Sequence, residues 1–376
     1  MGRFEVVVCG GGIAGIEALL RLRKLGGDRL HLTLVSPDRD LVYRPLAVLE
    51  PFAASGLRRY PLERITADVG ARWVRDGLSS VDHATRAVHT EHGTTLRYDA
   101  LLLATGARES SPYEHASVFT DRDAGATLRG LVRDVQMGLV NSLAFVLPHE
   151  WVWPLPLYEL ALMTAARVRS LNPKPQIMVI TSEGRPLKAF GQAGGDAVVR
   201  LLAKAGITLH TGTVVRVSAP GVLTGGGIQI EAQRIVTLPK ITGRAIRGIP
   251  AGTRWFVPID DWCVVSSMDG RVFAAGDGTD FPVKQGGIAA QQADTAAAGI
   301  AHLAGLGHRP PALRPVIRGT LLTGGRPLYM AAHLIADLGW QSEIYERPPW
   351  PLGDKIVAEE LGPYLRKLPP AAAPRP

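Results

Sequence analysis

Cysteine is scarce in this chain of 376 residues, in which only Cys9 and Cys263 carry thiols. Two cysteines cannot provide the disulfide framework of a small secreted fold. Cys9 ends an apolar run, so we expect it to be a small buried residue. We expect no metal-binding site from this sequence.

Long hydrophobic runs are also missing, and no stretch is long and apolar enough to cross a bilayer. The chain begins Met-Gly-Arg and reaches a glycine-rich motif at once, so no signal peptide is expected. The net charge of +8 favours an anionic membrane surface or an acidic partner. Because no basic block is interleaved with aromatic residues, nucleic acid binding is not expected. We predict a cytoplasmic protein and leave a weak peripheral membrane contact open.

A glycine motif near the N-terminus is the strongest positive signal. An apolar run from residue 4 leads into Gly10-x-Gly12-x-x-Gly15, and a helical pattern follows to Gly26. In this context Gly10 allows a tight turn, Gly12 lets a pyrophosphate approach the backbone, and Gly15 lets the helix lie close to the strand. The N–H groups and dipole of the helix start then face the phosphates. The stretch predicts dinucleotide binding.

The second strand, predicted from Leu30 to Val35, is followed by Ser36. In many dinucleotide folds an acid at this place bonds the ribose hydroxyls. Ser36 can still form a hydrogen bond, and Asp38 is near. The arginines that follow are interpreted as a solvated face; they are Arg58, Arg59, Arg64, Arg72 and Arg75.

Residues 72–106 predict a β-meander that closes on a buried strand. The short strands are expected near 72–75, 80–82, 87–90 and 95–97. The apolar stretch after Tyr98 ends in Ala104-Thr105-Gly106. Small residues at the end of a strand let the backbone approach a ligand at the carboxyl edge of the sheet.

A second unit with the same strand–helix–strand order starts near Ser111. Strands are predicted at 142–147, 176–181 and 208–210, helices at 157–168 and 195–205, and shorter strands at 213–217, 227–230 and 234–238. Its first turn, from Pro148 to Pro156, has no glycine and contains two tryptophans. Prolines lack N–H donors. We therefore expect no nicotinamide dinucleotide bound there in the usual way.

The chain then returns to the first domain. A buried strand from Gly270 ends in Gly276-Asp277, and the loop Phe281-Pro282-Val283-Lys284-Gln285 leads into a helix from Gly286 to Leu303. Residues 310–368 are expected to form a short terminal unit. The Pro- and Ala-rich stretch 369–376 is expected to be a disordered tail.

The order of these motifs resembles the FAD oxidoreductases with two dinucleotide-binding domains. Pro-Val-Lys-Gln-Gly-Gly followed by Ala-Ala-Gln-Gln-Ala is similar to the branch of sulfide:quinone oxidoreductases, flavocytochrome sulfide dehydrogenases and type II NADH dehydrogenases. The resemblance covers roughly residues 3–305. It implies an α/β fold with tandem Rossmann-like domains, one FAD-binding and one degenerate, and a short C-terminal unit. The expected divisions are 1–110 and 251–309 for the FAD domain, 111–250 for the second domain, 310–368 for the C-terminal unit and 369–376 for the tail.

The resemblance also assigns roles to individual residues. The three fingerprint glycines hold the FAD pyrophosphate, Asp277 bonds the ribityl chain, and the helix at Gly286 points at the pyrimidine edge of the flavin. The predicted cofactor-binding residues are Gly10, Gly12, Ile13, Ala14, Gly15, Ser36, Arg44, Ala104, Thr105, Gly106, Gly276, Asp277, Lys284 and Gly286.

Lys284 and Glu159 are the predicted catalytic residues. Lys284 and the helix start beside it would stabilise the negative charge of reduced flavin; the alternative is a solvated loop lysine. In relatives an acid at the place of Glu159 lies near the flavin; the alternative is a surface helix acid. Tyr43 and Arg44 either line the other side of the flavin or belong to a packed loop. The segment 149–151 either binds substrate or fills the emptied cofactor groove.

Two departures from the family pattern restrict the chemistry. Neither Cys9 nor Cys263 stands where the sulfide enzymes carry their flavin-facing cysteines, and the Cys-x-x-x-x-Cys pair of the disulfide reductases is missing. The glycine fingerprint that NADH enzymes carry in the second domain is also missing. We predict an FAD-dependent oxidoreductase that passes electrons from a small-molecule donor to a quinone or protein acceptor without a cysteine relay. An NAD(P)H-oxidising flavoenzyme and a non-turnover redox-sensing flavoprotein stay open as alternatives.

The C-terminal unit leaves a further alternative. Apolar residues from Ile356 to Leu365 fall near one helix face, although Gly362-Pro363 would kink or break a helix there. Trp340 and Trp350 lie upstream and would suit a membrane interface. We expect this face to pack on the flavin domain or to form a homodimer contact, with peripheral membrane contact as the less favoured alternative.

Overall fold

The computed structural model describes residues 3–52, 57–120, 124–148, 152–171, 174–335, 339–350 and 355–369. The predicted tail beyond residue 369 and the segment 149–151 lie outside these residues, as does the side chain of Trp340. The predicted domain limits stay a prediction.

The regular elements follow in chain order. The strands of the first half are β1 (Phe4–Cys9), β2 (Leu30–Val35), β3 (Asp40–Val42), β4 (Arg59–Pro61), β5 (Arg72–Val74), β6 (Leu78–Asp82), β7 (Ala87–Thr90), β8 (Thr95–Arg97), β9 (Ala100–Leu103), β10 (Arg108–Ser110), β11 (Ser117–Val118) and β12 (Ser142–Val146). The later strands are β13 (Gln176–Ile180), β14 (Ile207–His210), β15 (Arg216–Ala219), β16 (Val222–Gly225), β17 (Ile228–Glu231), β18 (Arg234–Thr237), β19 (Lys240–Thr242), β20 (Val272–Ala274), β21 (Val316–Leu321), β22 (Leu328–Ile335) and β23 (Gly339–Tyr345). The α-helices are α1 (Ile13–Gly26), α2 (Leu62–Val69), α3 (Ala124–Gln136), α4 (Leu155–Arg167), α5 (Gly191–Lys204), α6 (Gly286–Leu303) and α7 (Leu361–Lys367), and short 3-10 helices cover Gly27–Arg29, Arg44–Leu49, Lys188–Phe190 and Thr253–Trp255.

The first sheet is parallel, with the strand order β20-β9-β1-β2-β5. Alternate residues of β1 face opposite sides of this sheet. Val6 and Val8 pack with residues of α1 and α6, whereas Val7 and Cys9 pack with residues of the antiparallel meander β6-β7-β8. Burial on both faces explains why β1 reads as a continuous apolar run. The expectation that Arg72–Val74 begins the meander is wrong, because this strand pairs in parallel with β2.

The second sheet is also parallel and has the order β11-β18-β12-β13-β14. It repeats the strand–helix–strand layout of the first sheet, so the α/β class with tandem Rossmann-like units is confirmed. A small antiparallel sheet, β15-β16-β17, lies between β14 and β18 in the chain. The antiparallel pair β10 and β19 joins the segments on which the chain enters and leaves this unit.

The C-terminal unit contains an antiparallel sheet of three strands, β21-β22-β23, that was not predicted from the sequence.

The last helix is the short α7, whose Leu361 and Leu365 are buried in the same cluster as α1 and α6. Pro363 falls in the first turn of α7, where a missing N–H costs little. Trp350 is buried and meets Tyr329 edge to face at 5.8 Å. The apolar face of α7 therefore packs on the first domain, which is the alternative that we favoured over membrane contact. Among the described residues we find no helix long and apolar enough to span a membrane.

Candidate functional site

The glycine fingerprint forms the turn between β1 and α1. Gly10 has φ of +122°, and a Cβ there would collide with the carbonyl of Ala104, while a Cβ on Gly15 would collide with the carbonyl of Gly10. Gly12 is the N-cap of α1, and a Cβ there would meet no atom within 4 Å. Gly10 and Gly15 are thus required by packing, whereas Gly12 keeps open the space in front of the helix start.

The neighbouring strands end beside this turn. β9 continues into Ala104, whose N–H donates to the carbonyl of Cys9 at 2.8 Å, and then into Gly106, which has φ of +66° and open space at its Cβ position. Ser36 follows β2 and is fully buried against Gly11. Among the described residues the Ser36 Oγ has no hydrogen-bond partner. A buried hydroxyl without a partner at this edge fits a ligand hydroxyl, as predicted for the ribose.

The Gly276-Asp277 turn follows β20 on the other side of β9. Gly276 has φ of +88°, and its N–H donates to the side-chain Oε1 of Gln292 at 2.7 Å. Asp277 is half-buried beside it. The turn is thereby held against α6, the helix that begins ten residues later.

Two helix N-termini converge at the site. α6 begins at Gly286, as predicted, and a Cβ there would lie 2.9 Å from Cδ1 of Ile13, the first residue of α1. Glycine at residue 286 therefore lets the two helix starts lie close together without displacing the Ile13 side chain. Their free N–H groups and dipoles make this edge favourable for negative charge.

Lys284 lies two residues before α6 and is buried, so the alternative of a solvated loop lysine is wrong. Its Nζ donates to the carbonyl of Thr279 and lies 3.8 Å from the centre of the Phe256 ring. Burial lowers the pKa of Lys284 to about 8, although Asp277 and Asp280 act in the opposite direction. An ammonium in such a place is readily gained or lost near neutral pH.

Glu159 is fully buried on α4, so the alternative of a surface acid is wrong for this residue as well. It forms an ion pair with Lys355 and accepts the N–H of Leu322 at 2.9 Å. Its Oε2 has no hydrogen-bond partner among the described residues. Burial raises the pKa of Glu159 and lowers that of Lys355, while their mutual attraction opposes both shifts.

Strand β21 is an edge strand, and side chains rather than another strand bond to its free edge. Both backbone groups of Val316 bond to Gln291, and the carbonyl of Arg318 accepts from Gln285. Further along, the carbonyl of Thr320 accepts from Lys355, and the N–H of Leu322 donates to Glu159. Edge strands in natural proteins are commonly protected from further pairing. The C-terminal sheet is thereby fixed to α6 and α4, and Glu159 and Lys355 have a structural role whatever their chemistry.

Arg44 and Tyr43 lie at the start of a 3-10 helix. Arg44 is exposed, and Tyr43 is half-buried against the cluster that includes α1 and α6. Both stay predictions as flavin-lining residues. Cys9 and Cys263 are fully buried, as expected for Cys9, and burial raises the pKa of Cys9 to about 12 and that of Cys263 still further.

The corresponding edge of the second sheet is built differently. α4 has Pro154 as its N-cap and Pro156 in its first turn, so this helix start offers fewer N–H donors than α1 does. Trp153 is half-buried and meets Phe190 edge to face at 5.8 Å. The residues between Pro148 and Val152 are outside the described part of the chain.

Glu183 stands shortly after β13, where an acid would bind a ribose in a dinucleotide site. The sequence reading did not single out this residue, although its position after a predicted strand was the available signal. Its carboxylate accepts the hydroxyl of Tyr158 at 2.8 Å and the N–H groups of Leu187 and Lys188 at 3.3 and 3.0 Å. These bonds stabilise the loop before α5, and they leave the acid poorly placed to bind a ribose.

A cavity of about 170 Å³ separates this edge from the Lys284 loop. It is lined by Leu147, Pro148, Val152, Trp153, Pro154, Ser182, Glu183, Ala189, Pro282, Val283 and Lys284. The cavity is smaller than a typical pocket for a drug-sized ligand.

Taken together, the open space at Gly12, the unpartnered Ser36 hydroxyl and the two converging helix starts fit FAD, with its pyrophosphate, ribose and flavin ring. The fold and this site define a two-domain dinucleotide-binding flavoprotein. Residues 4–131 match the family described as pyridine nucleotide-disulphide oxidoreductase. The prediction of FAD as the cofactor is thereby confirmed at the level of the family.

Two named relatives are similar in sequence. A sulfide-quinone reductase of Aquifex aeolicus is 29% identical over 53% of this chain and 47% of its own length. Rhodocoxin reductase of Rhodococcus erythropolis is 25% identical over 74% of this chain and 66% of its own length. The chain thus matches about half of the first relative and about two thirds of the second.

The similarity to a solved structure extends further. The sulfide:quinone oxidoreductase from Aquifex aeolicus superposes with a TM-score of 0.79 at 20% identity, covering 91% of this chain and 87% of that one. At this identity the likeness establishes the fold.

Proposed function

We propose that this protein is an FAD-dependent oxidoreductase that passes electrons from a small-molecule donor to a quinone or protein acceptor without a cysteine relay. The observation that carries the proposal is the buried Lys284, which lies two residues before the N-terminus of α6, the helix whose start approaches Ile13 at the start of α1. FAD would supply the redox chemistry, and the protein supplies binding, orientation and electrostatics.

The charges around the site favour an electron-accepting flavin. The α6 start and the Lys284 ammonium both provide positive potential where the resemblance puts the pyrimidine edge of the ring. With the pKa of Lys284 lowered to about 8, the ammonium is present at pH 7 and is lost in mildly alkaline solution. We therefore propose Lys284 as the residue that stabilises the negative charge of the reduced cofactor.

The state of the thiols supports the absence of a relay. A sulfur relay requires an accessible thiolate. Cys9 lies within β1 and Cys263 lies in the core, and burial raises the pKa of both thiols. Neither thiol is suited to attack a donor at the flavin.

The acceptor is proposed from the relatives. One is named as a sulfide-quinone reductase and the other as a rhodocoxin reductase. A nicotinamide donor is disfavoured because Pro154 and Pro156 reduce the donors at the α4 start and the Glu183 carboxylate is already bonded within its own loop.

An anaerobic stopped-flow experiment tests this proposal. The FAD-loaded protein is mixed with NADH, NADPH, sulfide or a panel of other small reductants, and the absorbance of the oxidised flavin is followed. We expect slow, non-saturating reduction by both nicotinamides and rapid reduction by a small donor, followed by reoxidation with decylubiquinone or an oxidised ferredoxin. Rapid, saturable reduction by micromolar NADH would instead favour the NAD(P)H-oxidising alternative. If no donor reduces the flavin, the proposal is wrong.

The matched variant removes both thiols. Cys9→Ala with Cys263→Ala keeps small apolar side chains in the core, so the folded protein should retain FAD. The rate at which the productive donor reduces its flavin should stay within about twofold of the wild-type rate. A twofold change corresponds to only about 0.4 kcal/mol of activation free energy. Loss of reduction in a folded, FAD-loaded double variant would contradict a cysteine-independent route.

A further inference from the structure

We infer that Gln292 is a positioning residue, which fixes the Gly276–Thr279 turn and, through the carbonyl of Thr279, the site of the Lys284 ammonium. This inference rests on the proposed function only for the role of Lys284 toward the flavin. The network itself consists of residues of this chain.

The side chain of Gln292 lies fully buried on α6 and bonds to both ends of the turn. Its Oε1 accepts the N–H of Gly276 at 2.7 Å, and its Nε2 donates to the hydroxyl of Thr279 at 3.4 Å. The Thr279 hydroxyl in turn donates to the carbonyl of Gly276 at 2.9 Å, and the Thr279 N–H reaches the same carbonyl at 3.1 Å. The turn is therefore closed on itself and attached to α6 by one amide.

A buried amide in this place has a specific consequence for the backbone. The N–H of Ala275 donates to the carbonyl of Leu103 on β9, and since β20 is an edge strand, the next N–H, that of Gly276, points away from the sheet and needs another acceptor. An unpaired buried N–H is costly, and Gln292 supplies the acceptor. The amide thus stabilises a turn conformation that the β20 ladder alone does not determine.

The same turn carries the acceptor for Lys284. The Lys284 Nζ donates to the carbonyl of Thr279 while lying over the Phe256 ring. The charged or titratable groups that face it are Asp277 and Asp280 on the turn side, with Glu183 on the opposite wall of the cavity. If the Thr279 carbonyl moves, the ammonium loses its acceptor and shifts relative to these carboxylates.

The adjacent residue provides a matched control. Gln291 points to the other side of α6, where it bonds to both backbone groups of Val316 and to the carbonyl of Gly287. It fixes the C-terminal sheet and does not contact the Gly276–Thr279 turn through any of these bonds. Gln291→Leu therefore removes an equal side chain from the same helix without touching the turn.

The experiment measures the pKa of Lys284 directly. FAD-loaded protein is labelled competitively with trace acetic anhydride from pH 6 to 11, and the modified fraction of Lys284 is read by mass spectrometry. Wild type should titrate near pH 8. In Gln292→Leu we expect the midpoint to fall by about one unit, because a carbonyl that accepts from the ammonium favours the charged form and this acceptor is displaced. The dissociation constant of FAD should rise at least tenfold. Gln291→Leu should keep the wild-type midpoint and FAD affinity.

Thr279→Val and Gln292→Glu keep the test decisive if Gln292→Leu does not fold. Thr279→Val removes the hydroxyl and keeps the carbonyl, and it should shift the midpoint in the same direction by a smaller amount. Gln292→Glu retains an acceptor for the Gly276 N–H and should retain FAD. A wild-type midpoint in both Gln292→Leu and Thr279→Val, or in Thr279→Val alone where Gln292→Leu is unfolded, overturns the inference. Because labelling needs no electron donor, a flavin that accepts no electrons would refute the proposed function without affecting this result.

Discussion

Lys355 and Glu159, 196 positions apart in the chain, form a buried ion pair between the C-terminal segment and helix α4 of the second domain. Lys355 also donates to the carbonyl of Thr320 at 2.8 Å, and Glu159 accepts the N–H of Leu322 at 2.9 Å. The pair therefore connects three parts of the molecule at the edge of β21. A charge left alone in this place would be costly, since the surroundings exclude water.

Breaking this ion pair on one side should be strongly destabilising. Lys355→Met leaves the Glu159 carboxylate buried without its cation, and we expect a loss of about 3–5 kcal/mol in the free energy of unfolding. The double change Glu159→Gln with Lys355→Met removes both charges and keeps an acceptor for Leu322, so it should recover a large part of that loss. Urea denaturation of wild type, the single variant and the double variant measures the three unfolding free energies. A cost below about 1 kcal/mol for Lys355→Met would show that the pair is not isolated from water.

Gly12→Val should separate cofactor binding from folding. The backbone of Gly12 has φ of −83°, and a Cβ there meets no atom within 4 Å, so the apoprotein should fold. The valine would occupy the space in front of the α1 start, and FAD affinity should fall at least tenfold, or by about 1.4 kcal/mol. Absorbance of the bound flavin and far-ultraviolet circular dichroism check the two expectations. Gly15→Val is the contrasting variant, because its Cβ would collide with the carbonyl of Gly10 and should prevent folding.

Asp294 should make the protein less stable as the pH rises. Burial and the nearby acids Glu17, Glu359 and Glu360 raise its pKa from 3.8 to about 8, while Arg21 acts in the opposite direction. The folded state therefore holds a proton that the unfolded state releases, so this contribution is full below about pH 4 and is lost as the pH rises through 8.

Asp294→Asn should remove that loss. Its Tm should exceed that of wild type at pH 8.5 but not at pH 4.5, by about 2–4 °C for each kcal/mol recovered. Asp76→Asn is the opposite control, because the Asp76 carboxylate accepts hydrogen bonds from Thr90 and His92 that lower its pKa, so its loss should reduce the Tm at pH 8.5. A Tm difference between Asp294→Asn and wild type that is the same at both pH values would contradict this reading.

The C-terminal helix should stabilise the first domain rather than anchor the protein to lipid. Leu361 is fully buried, and Leu361→Ala should cost about 2–5 kcal/mol in unfolding free energy. Binding to anionic liposomes should be weak and should disappear in high salt, because it would depend on the net charge of +8. Tight, salt-resistant sedimentation with liposomes that is lost on removal of residues 354–376 would instead show that the C-terminal segment anchors the protein to lipid.

Local patterns predicted the elements whose residues specify their own conformation. Helix α6 was expected from Gly286 to Leu303 and β2 from Leu30 to Val35, and both have these bounds. The fingerprint glycines were assigned on the steric demands of one turn, which involve residues close in the chain. Strands β21 to β23 were missed because their sheet is stabilised by packing against α4, α5 and α6. Helix α3 was missed although its buried residues Leu128, Leu131, Val132 and Val135 have helical spacing.

The sequence by itself determined the dinucleotide fold, FAD as the cofactor and the absence of a second glycine motif, since each depends on short motifs in which neighbouring residues act together. Only the tertiary structure decided that Glu159 pairs with Lys355, that Lys284 is buried beneath the Thr279 carbonyl, and that Glu183 is occupied within its own loop. These relationships join residues on separate elements, and burial changes their charges. Because desolvation depends on what surrounds a side chain in three dimensions, no spacing along the chain encodes it.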